Sequence, residues 1–248
     1  VNRYGLIGYP LGHSFSKKYF TEKFEKEGIS DCVFDLFPIP SIEEFPALLK
    51  SYPDLKGLSV TIPYKQSVMR YLDKSEIPAG IHACNSIKIA NGELTGYNTD
   101  AIGFEKSFTE LLQPHHTRAL ILGNGGATEA VTYVLQQKRI AYKIVSRKIH
   151  GTSTLTYEDL SEEIIREHTV IINATPLGTY PAIDGCPNIP YQYLTSQHYL
   201  FDLVYNPSKT VFLEKGEKRG AAIKNGYDML AIQAEASWKL WNSSLGSR

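Results

Sequence analysis

From Arg118 onward the chain alternates apolar runs with helical stretches: RALILG, a helix through residues 126 to 138, AYKIVS, a helix in YEDLSEEIIREH, TVIINAT, and YLFDLV after a proline-rich loop. Strands joined through helices return to the same edge of a sheet and lie parallel, so the alternation is a βαβ series and predicts a parallel sheet. The first join is ILGNGGAT, residues 121 to 128, where a buried strand gives way to a helix. Gly123 permits the tight turn and Gly125 lets a pyrophosphate approach the backbone. The amides opening the helix offer donors and a favourable dipole to phosphates. The motif reads G-x-G-G-A with Thr128 in place of the usual third glycine, so a plain glycine turn stays open as an alternative.

The stretch after the next strand bears on which dinucleotide fits. An NAD site commonly places Asp or Glu on the ribose hydroxyls roughly 20 residues beyond the glycines. Here that stretch reads KIVSRKIH, and the first acid beyond it is Glu158. Ser146, Arg147 and Lys148 suit a 2′-phosphate instead, which they would neutralise and hydrogen-bond. NADP is therefore favoured over NAD, the alternative being a solvated basic turn.

Residues 1 to 100 mix strand-like pieces (YGLIG, CVFDLFPI, LSVTI, NSIKIA) with the helical SKKYFTEKFEKEG, again an α/β pattern. In the last segment, DMLAIQAEASWKLW, Leu230, Ala234 and Trp238 recur at four-residue spacing. They mark an amphipathic helix whose apolar face must be buried, and it is expected to close back on the first domain. Twenty-six basic residues balance twenty-six acidic ones, so nothing in the charge calls for nucleic acid or an anionic membrane, and small molecules are the better partners. Cys32, Cys84 and Cys186 are far apart, with neither paired nor metal-type spacing, which fits a reducing cytoplasm and no metal site. No signal peptide or membrane segment is expected, and the pattern leaves monomer and homodimer open.

Within the first hundred residues, LSVTIPYK places a lysine two residues after a strand-breaking proline. Pro63 suits the first position of a helix, which would put Lys65 in a first turn, where the dipole disfavours a cation. That awkward position for a charge is a useful one for a proton donor, because it lowers the lysine pKa from about 10.4. A solvated first-turn lysine is the plain alternative. Ser14 and Ser16 in GYPLGHSFS stand at a helix mouth where they would receive a carboxylate, or act as ordinary caps. Asn85 in HACNS, and Asn98 and Asp100 in GYNTD, complete the candidates. Reducing a carbonyl by hydride transfer requires a proton donor, and Lys65 held by Asp100 would supply one.

Taken together, GYPLGHSFS, GLSVTIPYK, ACNSI, GYNTD, GNGGAT, VSRK, INATPLG, DLVYNP, NGYDML and AIQA resemble the signature blocks of the shikimate dehydrogenase family, in its order and near its spacing. The resemblance implies an α/β, two-domain fold. An N-terminal substrate-binding and catalytic domain (1–100) is completed by the C-terminal helix (227–248), and a Rossmann-type NADP-binding domain spans 101–226. It implies NADPH-dependent reduction of 3-dehydroshikimate to shikimate, in chorismate and aromatic amino-acid biosynthesis. Ser14 and Ser16 would bind the substrate carboxylate, Lys65 would move the proton, and Thr61, Asn85 and Asp100 would hold ring hydroxyls. Tyr205 and Gln233 would complete the substrate pocket. Gly123, Asn124, Gly125, Gly126 and Ala127 would form the pyrophosphate loop, Ser146, Arg147 and Lys148 the phosphate-binding block, and Leu203 and Gly226 would border the nicotinamide. This chain departs from the family pattern where Ser146 and Lys148 replace the outer members of N-R-T and Gly151 stands at a further arginine, and it has ACNS for A-V-N-T. Three rivals remain: an NAD-using quinate/shikimate dehydrogenase, a methylene-tetrahydrofolate dehydrogenase, and a silent module that senses shikimate or a nucleotide. The S-x-S and N-T-D blocks and the intact Lys65 and Asp100 weigh against the last two.

Overall fold

The computed structural model describes residues 1–12, 14–149 and 151–243. His13, inside the GYPLGHSFS block, lies outside the described residues. The chain divides into two compact units, Val1–Asp100 with Gln233–Arg248, and Ala101–Ile232.

The first unit holds β1 (Asn2–Gly8), α1 (Phe15–Glu27), β2 (Cys32–Pro38), α2 (Phe45–Ser51), β3 (Leu55–Val60), β4 (Lys74–Ser75), β5 (Ser86–Ala90) and β6 (Glu93–Tyr97). They form one six-stranded sheet in the order β2-β1-β3-β5-β6-β4. β1 pairs parallel with β2 and β3, whereas β5 is antiparallel to both β3 and β6. The start of β5 and the ends of β1, β3 and β6 therefore all meet one edge of the sheet. One sheet face packs Ile7, Leu58, Val60, Ile87 and Leu94 into a core. The other buries Tyr4, Phe20 and Phe34 against Ala234 and Trp241.

The second unit contains most of α3 (Asp100–Thr109), then β7 (Arg118–Leu122), α4 (Thr128–Gln137), β8 (Ala141–Ser146), β9 (Leu155–Thr156), α5 (Glu162–Glu167), β10 (Val170–Asn173), β11 (Tyr199–Asp202), α6 (Val211–Glu217), β12 (Ala222–Lys224) and the start of α7 (Tyr227–Asn242). All its strand pairs are parallel, in the order β12-β11-β10-β7-β8-β9. Numbered from β7, this is the 6-5-4-1-2-3 arrangement of the doubly wound dinucleotide fold, whose order reverses between β7 and β10. Apolar runs supply the strands, as in β10, where all four residues are buried. Leu120, Leu122, Ile171, Leu200 and Phe212 fill one core. Phe104, Phe108, Tyr199 and Phe201 stack in another.

Two local expectations need correction. Pro63 does not open an α-helix: residues 62 and 63 form a turn with a cis Ile62–Pro63 bond, and the next helical residues are the short 3-10 turn Ser67–Tyr71. YEDLSEEIIREH is not one helix. Thr156 and Asp159 close a capping box around the 3-10 turn Tyr157–Asp159, and Ser161 then caps α5 by accepting from the Ile164 amide. Two N-capping devices five residues apart start two short elements in place of one long one.

Candidate active site

At the shared edge of the first sheet, backbone bonds hold the loops in register. The Thr61 amide donates to Ile7 O at 3.0 Å, Val60 N to Asn85 O at 2.8 Å, Asn85 N to Tyr97 O at 3.1 Å, and Cys84 N to Lys65 O at 2.7 Å. Lys65 is thus tied through its own carbonyl to Cys84, next to Asn85 in the segment leading into β5, and needs no helix to place it. Its Nζ lies 2.6 Å from Asp100 Oδ2, with the two side chains 20% and 11% exposed. A pair this sheltered keeps its geometry better than a surface ion pair, yet the amine stays reachable. Only one of the three hydrogens that an ammonium can donate is committed to Asp100.

Asp100 is itself gripped. Its Oδ1 accepts from Asn85 Nδ2 at 2.9 Å, and the same amide reaches Thr99 Oγ1 at 2.9 Å and Gln233 Oε1 at 3.4 Å. Asn85 Oδ1 accepts from the Thr99 amide at 2.6 Å, and Thr99 Oγ1 lies 3.0 Å from Ser237 Oγ. Asn85, Thr99, Asp100, Gln233 and Ser237 are all buried, so this is a satisfied polar network inside the unit. Four predicted residues, Lys65, Asn85, Asp100 and Gln233, join in it. Sequence reasoning missed Thr99 and Ser237, although Thr99 stands between two named residues in NTD. Ser14 caps α1, accepting from Lys17 N at 3.2 Å, and Ser16 follows in the first turn. Both are half-buried, as is Thr61, and among the described residues none bonds to the network.

In the second unit, the glycine loop follows β7. Gly123 has φ +102°, and a Cβ there would stand 2.8 Å from Thr175 Cγ2, so only glycine fits. Gly125 and Gly126 differ: a Cβ at Gly126 would meet nothing within 4 Å, and one at Gly125 only Ala174 O at 4.0 Å. No packing inside the unit demands their bareness. Thr128 Oγ1 accepts from Gly125 N at 3.1 Å, and the cap position of α4, Ala127, leaves the helix amides without a side-chain cap. Asn124 is exposed and accepts from Thr152 Oγ1 at 3.3 Å. At the end of β8, Ser146 is buried and donates to Lys148 O, whereas Arg147 is exposed and makes no ion pair among the described residues.

Beyond β11, Gly226 presses on Leu203: a Cβ on Gly226 would come within 2.7 Å of the Leu203 carbonyl carbon. Tyr205 is half-buried, and burial pushes its hydroxyl pKa up. Among the described residues no group of acids, histidines and cysteines is arranged to hold a metal, and no helix is long and apolar enough to cross a membrane.

Comparisons with known proteins agree with one another. Residues 6–87 match the model of the shikimate dehydrogenase substrate binding domain. The chain is 35% identical to a shikimate dehydrogenase (NADP(+)) of Methanococcus vannielii, over 96% of this chain and 90% of the relative. It is 37% identical to one of Clostridium beijerinckii, over 96% and 91%. The crystal structure of shikimate 5-dehydrogenase from Thermus thermophilus, in complex with NADP(H) and shikimate, superposes with a TM-score of 0.84 at 26% identity, covering 100% of this chain and 95% of that one. Similarity of this extent, running through both units, means that the chain belongs to the shikimate dehydrogenase family.

Proposed function

We propose that the protein is an NADP-linked oxidoreductase that reduces 3-dehydroshikimate to shikimate with NADPH, a step of chorismate and aromatic amino-acid biosynthesis. The observation that carries this reading is the Lys65–Asp100 pair, 2.6 Å apart and fixed from behind by Asn85 and Gln233. Bound NADPH supplies the hydride. Lys65 gives the proton to the oxygen of the carbonyl as it becomes a hydroxyl, and takes it back in the oxidative direction. Asp100 holds the amine in one place, and Asn85, by bonding its other oxygen, prevents the carboxylate from turning away. The substrate carboxylate goes to the Ser14 and Ser16 hydroxyls at the mouth of α1, and Thr61, Asn85, Tyr205 and Gln233 orient the ring and its hydroxyls. Residues 1–100 with 227–248 serve as the substrate domain, and 101–226 bind the dinucleotide.

The residues of the second unit fit that cofactor. Two glycines kept bare toward open space, uncapped amides at the start of α4, and an exposed arginine at the end of β8 are what a pyrophosphate and a 2′-phosphate require. Leu203 and Gly226 border the nicotinamide.

The direct test is an absorbance assay of shikimate oxidation, with NADP⁺ and NAD⁺ compared and quinate as a second substrate. Fastest turnover on shikimate with NADP⁺ is expected; no turnover, or preference for quinate with NAD⁺, refutes the reading. Lys65→Met is expected to lower kcat by about 10²-fold or more while the dissociation constant of shikimate stays within a few fold, because proton transfer acts in the transition state. Unchanged turnover removes Lys65 from the mechanism.

A further inference from the structure

Asp202 closes β11 as an acid at the end of the apolar run YLFD, and it is fully buried. Among the described residues no cation pairs with it. Three neutral donors satisfy it instead: Thr210 Oγ1 at 2.6 Å, Asn173 Nδ2 at 2.9 Å and the Val204 amide at 3.0 Å. A buried carboxylate without a counter-charge is costly, and a stable core has no need of one. Its partners show what it organises. Asn173, at the end of β10, passes the contact on through Oδ1, which accepts from Thr175 Oγ1 at 2.6 Å and Thr175 N at 3.1 Å. Thr175 in turn abuts Gly123 of the phosphate loop. On the other side, Val204 O accepts from Gly226 N at 3.1 Å, and Gly226 lies against the Leu203 carbonyl.

We infer that Asp202 is a positioning residue that sets the distance between the two ends of the dinucleotide site, holding the Gly123 loop and the Leu203–Gly226 contact in one frame through Asn173 and Thr175. The inference rests on the NADP reading above and extends it to residues that touch no cofactor. The physical reason is direct. The loops after β7, β10, β11 and β12 are separate pieces of chain, and parallel pairing stops at the strand ends. One carboxylate that accepts twice from the loop after β11, through Val204 N and Thr210 Oγ1, and that reaches Thr175 in the loop after β10 through Asn173, removes their independent motion. A ligand that spans the site gains from this; a ligand that fills one end does not.

The test compares NADP⁺ with adenosine 2′,5′-bisphosphate, a fragment lacking the nicotinamide half, by titration calorimetry on the full-length protein. Asp202→Ala is expected to weaken NADP⁺ about tenfold or more, equivalent to about 1.4 kcal/mol, while the fragment changes less than about twofold. Asp202→Asn, which keeps an acceptor for Asn173 and Val204, is expected to stay within about threefold of the wild type for both ligands. Thr175→Val keeps the bulk against Gly123 and removes the hydroxyl, and with it the bond to Asn173 at 2.6 Å and the longer one accepted from the Leu177 amide at 3.3 Å. It is expected to show the same selective loss at about threefold, and it carries the test should the alanine variant fail to fold. Equal losses for both ligands, or no loss of NADP⁺ affinity in either variant, overturn the inference. A wild-type protein that binds neither ligand refutes the cofactor reading itself, which is a distinguishable result.

Discussion

Burial of Asp202 does more than fix loops; it displaces the carboxyl pKa upward, from 3.8 to about 6, against the pull of its three donors. The folded protein therefore holds this proton more tightly than the unfolded chain. The resulting contribution to stability is full below about pH 4 and is lost as pH rises through about 6. At neutral pH the ionised Asp202 is a net cost of roughly 3 kcal/mol, two units at 1.36 kcal/mol each. Asp202→Asn removes that titration. Relative to the wild type, the variant is expected to gain up to roughly 3 kcal/mol between about pH 4 and about pH 7.5, read from urea denaturation at each pH. His116 and His168, whose pKa values burial lowers, destabilise the fold as pH falls below about 6.5, but they do so in both proteins and cancel in the difference. A stability gap that stays constant with pH would show that Asp202 does not titrate in this range. The pairing of Lys65 with Asp100 was legible in the sequence because a proton donor for carbonyl reduction would need a fixed partner. Thr99, Ser237 and Asn173 were not, since their roles arise from side chains 138 or 29 positions apart that only folding brings together. Asp202 left one trace, an acid ending an otherwise apolar strand.

At the scale of elements, α7 shows how the last helix is bound to the first unit. Its four-residue apolar spacing predicted that it would bury a face, and Trp241 meets Tyr4 at 5.3 Å and Phe20 at 5.5 Å between ring centroids. What no periodicity reveals is the receiving surface. Gly57 on β3 lies directly under the Trp241 indole, where any Cβ would overlap the ring. Gly57→Ala is expected to destabilise the protein by about 1–3 kcal/mol through overpacking, seen as a lower thermal midpoint. Gln233 sits on the same helix, so affinity for shikimate should fall as well. An unchanged midpoint would mean that the helix docks elsewhere. The Pro63 expectation failed at this same scale. The proline starts a turn, and the lysine after it is positioned by the Cys84 amide and Asp100, so the dipole argument had no helix to act through. The alternating strands of the second unit were legible because continuous apolar runs and glycine joins are local signals. The break in YEDLSEEIIREH was not, because its two caps compete with an otherwise helical composition.

Over the whole molecule, 26 basic and 26 acidic residues cancel, so there is no long-range field to gather anions. Preference for NADPH over NADH must then come from groups in contact with the 2′-phosphate, which adds about −1.5 to −2 charges. The family's further arginine is absent here. Gly151 stands in its place with φ +57°, a conformation that disfavours any side chain. Ser146 is turned inward to Lys148 O, which leaves the exposed Arg147 as the group best able to grip a phosphate with two parallel bonds. Arg147→Ala is therefore expected to raise the dissociation constant of NADPH by about ten- to a hundredfold and that of NADH by less than about threefold. Because the site is exposed and the global charge is nil, added salt should narrow the wild-type preference and leave that of the variant nearly flat. Equal losses for the two cofactors would assign Arg147 to the fold of the β8 turn and not to the phosphate, and discrimination would then fall to Lys148 and the hydroxyls around it.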